Sequence, residues 1–129
     1  MSMATRARNF AKQVIRRAAA MAGPHRWPSQ HPRLWVLMYH RILPADDPRA
    51  VTEEPGMMVT PATFRHHLHW LKPHFELVSL GDWVGRAQRG QALPLRACAI
   101  TFDDGWRDNF EFALPILRET GTPAIVLEI

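Results

Sequence analysis

Cysteine is nearly absent from this chain and occurs once, at position 98. A single thiol excludes an internal disulfide and a metal cage built from cysteines. Cys98 lies in the apolar segment 95–100, which predicts a buried strand, and a cysteine in such a strand ordinarily packs as a small hydrophobic residue. We therefore expect Cys98 to be packed and unreactive.

Acidic residues are missing from positions 1–45, and Asp46 is the first acidic residue of the chain. Eight of the sixteen Lys and Arg residues precede Asp46, and the other eight are outnumbered by the twelve Asp and Glu residues that follow. The formal net charge of +4 therefore arises from an N-terminal arm. Beyond that arm, no pattern of basic and aromatic residues indicates nucleic-acid binding.

Long apolar runs are also missing, since no stretch approaches the ~18 residues of a membrane-spanning helix. The first residues are basic, but Lys12, Arg16 and Arg17 interrupt the apolar segment of ~7–15 residues that a secretory signal requires. These absences favour a cytoplasmic or peripheral membrane location.

The sequence predicts three regions. Residues 1–22 form a basic amphipathic helix, because apolar residues recur at steps of three and four over 3–21. This arm either contacts a membrane surface or a partner through residues 3–21, or is a solvated helix with frayed ends. Residues 23–33 are rich in proline and predict a linker, and residues 34–129 form one domain.

In the domain, apolar strand-like segments alternate with amphipathic helices, which is typical of an α/β fold with a parallel sheet. The predicted strands are 34–40, 75–79, 95–102 and 123–129, and the predicted helices begin after Thr60, Ser79 and Asp108. The first strand is expected to be buried on both faces. Asp108 is expected to cap the third helix, Pro115 to kink it, and its buried stripe to include Phe110, Leu114 and Leu117.

The chemically informative stretch follows the strand 95–102, where Asp103 and Asp104 precede Gly105. In parallel α/β folds, sites form at the carboxyl ends of strands, and adjacent residues that leave a strand point in different directions. One carboxylate could then bind a cation while the other accepts a proton. By itself an Asp-Asp-Gly triplet can also be a polar turn, or part of a phosphotransfer pocket.

The segment TFDDGWRDN, residues 101–109, resembles the first signature of NodB-type polysaccharide deacetylases, carbohydrate esterase family four. Residues 36–42, 60–80 and 113–126 resemble the corresponding stretches of the subgroup that includes poly-N-acetylglucosamine deacetylases, so the resemblance covers 34–129. It implies an incomplete NodB-type (β/α) barrel, in which parallel strands alternate with helices, truncated after the strand that follows the TFDDG helix.

The resemblance also implies an activity, the hydrolysis of N-acetyl groups on an N-acetylated glycan or polysaccharide. Asp103 would be the general base that takes a proton from metal-bound water. Asp104 would be the carboxylate ligand of a divalent metal, usually zinc. The family completes this metal site with two histidines four apart, downstream of the Asp pair, and uses a later histidine as the general acid.

The chain departs from that family pattern, because all seven histidines precede Asp103 and the last of them is His74. One carboxylate is too few for a zinc site, which takes about three protein ligands. The chain alone is therefore expected to be inactive.

The other histidines and tryptophans give weaker signals. His40, which ends the first strand, is a candidate for a substrate contact near Asp103 or for a structural role. Trp106 is a candidate platform for a sugar ring, or a packing residue. The clustered histidines His66, His67 and His69 are expected to lie at the surface in contact with solvent, with metal binding as the alternative. The tryptophans Trp35, Trp70 and Trp83 are expected in the core.

Overall fold

The computed structural model describes residues 3–23, 27–54 and 56–128, and the chain divides into two compact units, Met1–Gln30 and His31–Ile129. The first unit contains helix α1 (Met3–Ala22), as the helical period predicts. Within the described ranges, no helix combines the length and the apolar character needed to cross a bilayer.

The second unit alternates strands with helices. The strands are β1 (Arg33–Tyr39), β2 (Arg41–Ile42), β3 (Met58–Val59), β4 (Glu76–Leu77), β5 (Arg96–Asp103) and β6 (Ala124–Leu127). The helices are a 3-10 helix (Pro48–Thr52), α2 (Pro61–Leu71), α3 (Leu80–Gln88), a π-helical segment (Asn109–Ala113) and α4 (Leu114–Thr120).

Strand β5 is the centre of the sheet, and every strand that pairs with it is parallel to it. Strand β1 runs along β5 until Tyr39 lies opposite Phe102, while β6 pairs with the last part of β5 and places Leu127 opposite Asp103. The predicted α/β fold with parallel strands is confirmed. This register brings the ends of β1, β5 and β6 to the same edge of the sheet.

The core lies between β5 and helix α2. Phe64, Leu68 and Leu71 of α2 pack against one face of β5, which consists of Cys98, Ile100 and Phe102. Burial raises the pKa of the Cys98 thiol to about 11, which agrees with an inert packing role. The N-caps follow the sequence prediction, because Thr60 accepts the Thr63 N–H and Ser79 accepts the Asp82 N–H.

Strand β1 differs from the prediction that both of its faces are buried. Val36 and Met38 are 49% and 58% exposed, since no described residue covers them fully. Trp35 and Tyr39, on the opposite face, pack against the core. Strand β5 has this double burial, since the consecutive residues from Ala97 to Phe102 are all buried. The prediction that Trp70 lies in the core is also wrong, because its side chain is exposed and stacks on His74.

The third helix differs from its prediction in three ways. Asp108 makes no capping hydrogen bond, because its carboxylate is turned inward onto β2. Backbone bonding is of the π type until Leu114, whose N–H donates to Asn109, and the α-helix begins beside Pro115. The buried stripe lies one position earlier than predicted and consists of Asn109, Ala113, Ile116 and Thr120, while Phe110 is exposed.

Candidate active site

The turn after β5 places Asp104 in an unusual backbone conformation, while Asp103 is the last residue of the strand. Asp104 has φ of 69° and Gly105 has φ of 59°, so both are left-handed. The Asp104 N–H donates to the carbonyl of Leu127 at 2.9 Å, which ties the turn to the end of β6. A left-handed non-glycine residue is strained, and such strain is often found at functional sites.

Gly105 has little room for a side chain. A Cβ atom there would lie 3.0 Å from Oε1 of Glu128, the residue that follows β6. Both this contact and the positive φ favour glycine at this position. A third carboxylate, that of Glu128, thus approaches the Asp-Asp-Gly turn. Sequence reasoning missed it, because the approach depends on the pairing of β5 with β6.

The carboxylate of Asp103 has surroundings that suit a catalytic group better than those of the other residues of the turn. Its Oδ1 atom is buried and has no hydrogen-bond partner, while its Oδ2 lies 3.9 Å from Nε2 of His40. A buried carboxylate oxygen without a partner is costly, and one that lies at the carboxyl end of a parallel strand is a candidate for chemistry. The sequence prediction that His40 lies near Asp103 is confirmed in position, whereas the roles of both residues stay predictions.

Asp104 differs from its neighbour. Its carboxylate is exposed, and it makes no hydrogen bond or ion pair with any residue that the structure describes. The two adjacent carboxylates therefore have different surroundings, one partly enclosed beside a histidine and one open to solvent. This difference is what the proposed division into a base and a cation ligand requires.

Asp108 is fully buried, and both of its carboxylate oxygens bind to residues of β2. Its Oδ1 accepts a hydrogen bond from Nε of Arg41 at 2.9 Å, and its Oδ2 accepts one from the Ile42 N–H at 2.9 Å. Arg41 also donates to Glu53. Because Arg41 directly follows His40, these bonds fix the backbone that carries His40 relative to the turn at Asp103.

Trp106, the candidate sugar platform, contacts Arg41. The guanidinium carbon lies 4.1 Å from the ring centroid, which is a cation–π contact. The tryptophan is 44% exposed, so it is neither free on both faces nor packed in the core. Sequence reasoning missed Arg41 and Asp108, since a basic residue after a strand gives no signal that an acid 67 positions later will pair with it.

Tyr39 lies among the core aromatic rings beneath the site. Its hydroxyl shares a hydrogen bond of 3.0 Å with Nδ1 of His67, and its ring packs against Phe64 and Phe102. Burial raises the pKa of Tyr39 to about 12. Burial, with a smaller effect of His66, lowers the pKa of His67. The prediction that all three clustered histidines are solvated is therefore wrong for His67, because α2 turns it toward β1.

The family resemblance implies a zinc ion, and the described residues do not fit a complete site. They contain no group of three or more His, Cys, Asp or Glu side chains that could hold a metal ion. Structural and catalytic zinc sites normally have about three or four protein ligands. Asp104, the single metal ligand that the resemblance implies within this chain, has an exposed carboxylate and does not make a zinc site by itself.

Comparisons with known proteins address the family. No protein-family model matches the chain. A protein of Bacillus subtilis strain 168, YxkH, whose name places it provisionally among the polysaccharide deacetylases, is 29% identical over 98 residues. This match covers 75% of the chain and 32% of the relative, so the chain spans about a third of the length of that protein.

Solved structures give the same result for the fold. The de-N-acetylase from Aggregatibacter actinomycetemcomitans has a TM-score of 0.61 and 26% identity, over 74% of this chain and 37% of its own. The deacetylase PplD of Streptococcus pyogenes, solved with acetate, has a TM-score of 0.63 and 27% identity, over 77% of this chain and 44% of its own. In sequence and in fold, these comparisons confirm the resemblance to polysaccharide deacetylases that the TFDDGWRDN segment predicts.

Proposed function

We propose that this chain supplies the general base and one metal ligand of a metal-dependent deacetylase that removes N-acetyl groups from N-acetylhexosamine units of a glycan or polysaccharide. The observation that carries the proposal is the buried, unpartnered Oδ1 of Asp103, at the carboxyl end of the central strand and beside His40. The similarity to the de-N-acetylase of Aggregatibacter actinomycetemcomitans supports the choice of an N-acetyl group.

Asp103 takes the proton of the water that attacks the acetamide carbon. The resulting tetrahedral intermediate collapses, the C–N bond breaks, and the products are acetate and a free amine. The partly enclosed carboxylate suits this role, because its Oδ1 has no hydrogen bond that must be broken before it accepts a proton. His40 contacts either that carboxylate, from which it is separated by 3.9 Å, or the substrate.

Asp104 is the one residue that we assign to a metal. Its carboxylate is exposed and carries no other bond within the described residues, which leaves it open to a cation. When bound, the divalent ion would supply Lewis acidity to the reaction. Trp106 is assigned to the substrate, with Arg41 on one ring face and the sugar on the other.

Turnover is not expected from these 129 residues alone, because the described side chains are too few to hold zinc. Zinc titration by calorimetry should therefore show no tight site in the isolated chain. Binding that is tight and depends on Asp104 would show that the described residues can assemble a complete site.

A chimaera tests the proposed activity directly. The segment of the Aggregatibacter de-N-acetylase that corresponds to this chain is replaced by residues 34–129, and acetate release from oligomeric N-acetylglucosamine is measured. We expect the chimaera to release acetate, and we expect Asp103→Asn to lower the rate by at least about a hundredfold, as is typical for loss of a general base. Asp104→Ala should lose both acetate release and bound zinc.

A second exchange guards against misfolding of the chimaera, since the two proteins are 26% identical. It transfers only residues 101–109 into the same host, and circular dichroism reports whether each product folds. A folded chimaera that releases acetate equally well with Asp103 and with Asn at this position would refute the proposed base.

A further inference from the structure

Helix α1 has one continuous apolar side. At about 100° per residue, its central apolar residues fall within an arc of about 140°; these are Phe10, Ala11, Val14, Ile15, Ala18 and Met21. Phe10 and Ile15 are 70% and 67% exposed, and Val14 is exposed as well. A helix that displays such an arc to solvent has the pattern of an interfacial helix.

The basic residues of α1 surround this arc. Arg8 and Arg17 lie about 20° outside its two edges, and Lys12 and Arg16 lie on the opposite side. All four are exposed, and the helix contains no acidic residue. Long basic side chains at both edges of an apolar arc can bury their methylene groups and keep their charges in a polar layer.

These charges do not stabilise the helix itself. No acidic residue occurs in the first turn of α1 and no basic residue in the last turn, so the helix macrodipole is left uncompensated at both ends. The helix also has no Glu or Asp with which its basic residues could form pairs between successive turns. The charge pattern therefore complements a negative surface outside the helix.

Trp27 adds an independent feature at the end of this helix. Its indole N–H donates to the carbonyl of Ala22 at 2.9 Å, which satisfies one of the free carbonyls of the last turn. The ring itself is exposed. Tryptophan with an apolar body and a satisfied N–H is the residue type enriched at the boundary between lipid and water.

We propose that α1 and Trp27 form a docking element that lies in the plane of an anionic lipid bilayer. The apolar arc enters the boundary between headgroups and acyl chains, and the flanking basic residues bind lipid phosphates. Nucleic acid would also attract the charges, but it gives the exposed arc of Phe10, Val14 and Ile15 nothing to bury against. The proposal is independent of the proposed deacetylation, and the test of one does not depend on the other.

The test uses the whole 129-residue chain and sedimentation with vesicles of phosphatidylcholine, with or without phosphatidylglycerol. We expect the chain to bind the anionic vesicles. Binding should be at least about tenfold weaker to neutral vesicles, and at least about tenfold weaker to anionic vesicles when the two residues beside the arc are reversed in charge, in Arg8→Glu with Arg17→Glu. Phe10→Ser should weaken binding by about tenfold, because it removes a large apolar side chain from the arc.

The matched control changes the same number of charges in the second unit, with Arg89→Glu and Arg118→Glu, two other exposed arginines. Binding of this variant should change by less than about twofold, since only charges near the lipid surface contribute. Circular dichroism checks that α1 remains helical in each variant.

Four results would overturn the proposal. Equal binding to neutral and anionic vesicles, or equal losses in the control variant, would remove the role of the α1 charges. Binding to a duplex oligonucleotide but not to vesicles, unaffected by Phe10→Ser, would make the arm a nucleic-acid contact. Self-association that Phe10→Ser abolishes, without vesicle binding, would assign the apolar arc to a second copy of the chain.

Discussion

Asp103 ends β5 and Asp108 stands five residues later at the start of the third helix, but their carboxylates have opposite surroundings. Asp108 is fully buried and both of its oxygens accept hydrogen bonds, from Arg41 and from the Ile42 backbone. Asp103 keeps partial contact with solvent, and its buried Oδ1 has no partner. A satisfied buried acid stabilises structure, whereas an unsatisfied one is available for chemistry.

The position of the predicted site residue His40 is linked to the buried Asp108. Asp108 ties the start of the third helix to β2, and β2 directly follows His40. The distance of 3.9 Å between His40 and Asp103 is therefore set partly by the hydrogen bonds of Asp108.

Asp108→Ala should have the largest effect on stability. It leaves the buried guanidinium of Arg41 without its main partner and the Ile42 N–H without an acceptor. Removal of one member of a buried ion pair costs about 3–5 kcal/mol. Urea denaturation measures the change. Asp108→Asn, which can still accept one of the two hydrogen bonds, should lose less, and an unchanged midpoint in the alanine variant would refute the structural role of Asp108.

Gly105→Ala should lower stability by an intermediate amount. Alanine at φ of 59° pays about 1–2 kcal/mol for the left-handed conformation, and its Cβ would contact Glu128. Gly90→Ala is the matched control, because that glycine has a nearly equal φ of 64° but nothing within 4 Å of a Cβ. A larger loss at Gly105 than at Gly90 would show that the contact with Glu128 adds to the backbone cost.

Asp103→Asn should leave the free energy of unfolding unchanged or raise it by up to about 1 kcal/mol, because it neutralises a carboxylate whose buried oxygen has no hydrogen bond. The same urea titration provides the measurement. A loss comparable to that of Asp108→Ala would mean that Asp103 is also a structural residue.

The smallest expected effect concerns pH. Burial lowers the pKa of His67 from its usual value of 6.5, so the folded state favours the neutral imidazole. The associated stability is fully present above pH 6.5 and is lost as the pH falls through the lowered pKa. His67→Asn should therefore flatten the dependence of unfolding free energy on pH in this range. His69→Asn, at an exposed position, should keep the dependence of the original chain.

Local signals in the sequence predicted much of the fold. Thr60, Ser79 and Gly121 mark helix ends that the structure reproduces, since caps depend on residues close in sequence. The parallel sheet follows from the alternation of strands and helices, and the apolar run at β5 predicted its double burial. The exposure of β1 could not be predicted, because it depends on what covers each face.

For the site, the sequence predicted the acidic turn and the proximity of His40, because parallel strands bring their carboxyl ends together. It did not predict that Asp108 would bind Arg41, that His67 would contact Tyr39, or that the third helix would begin with π-type bonding. Each of these features depends on tertiary packing between segments that are distant along the chain.

The different roles of Asp103 and Asp108 are tested most directly by measuring both acetate release and unfolding free energy in the chimaera that carries residues 34–129. Asp103→Asn should abolish acetate release and keep the stability of the parent, while Asp108→Asn should lower the stability and reduce release only in proportion to the unfolded fraction. Acetate release at the parental rate from Asp103→Asn would contradict the assignment of Asp103 as the base.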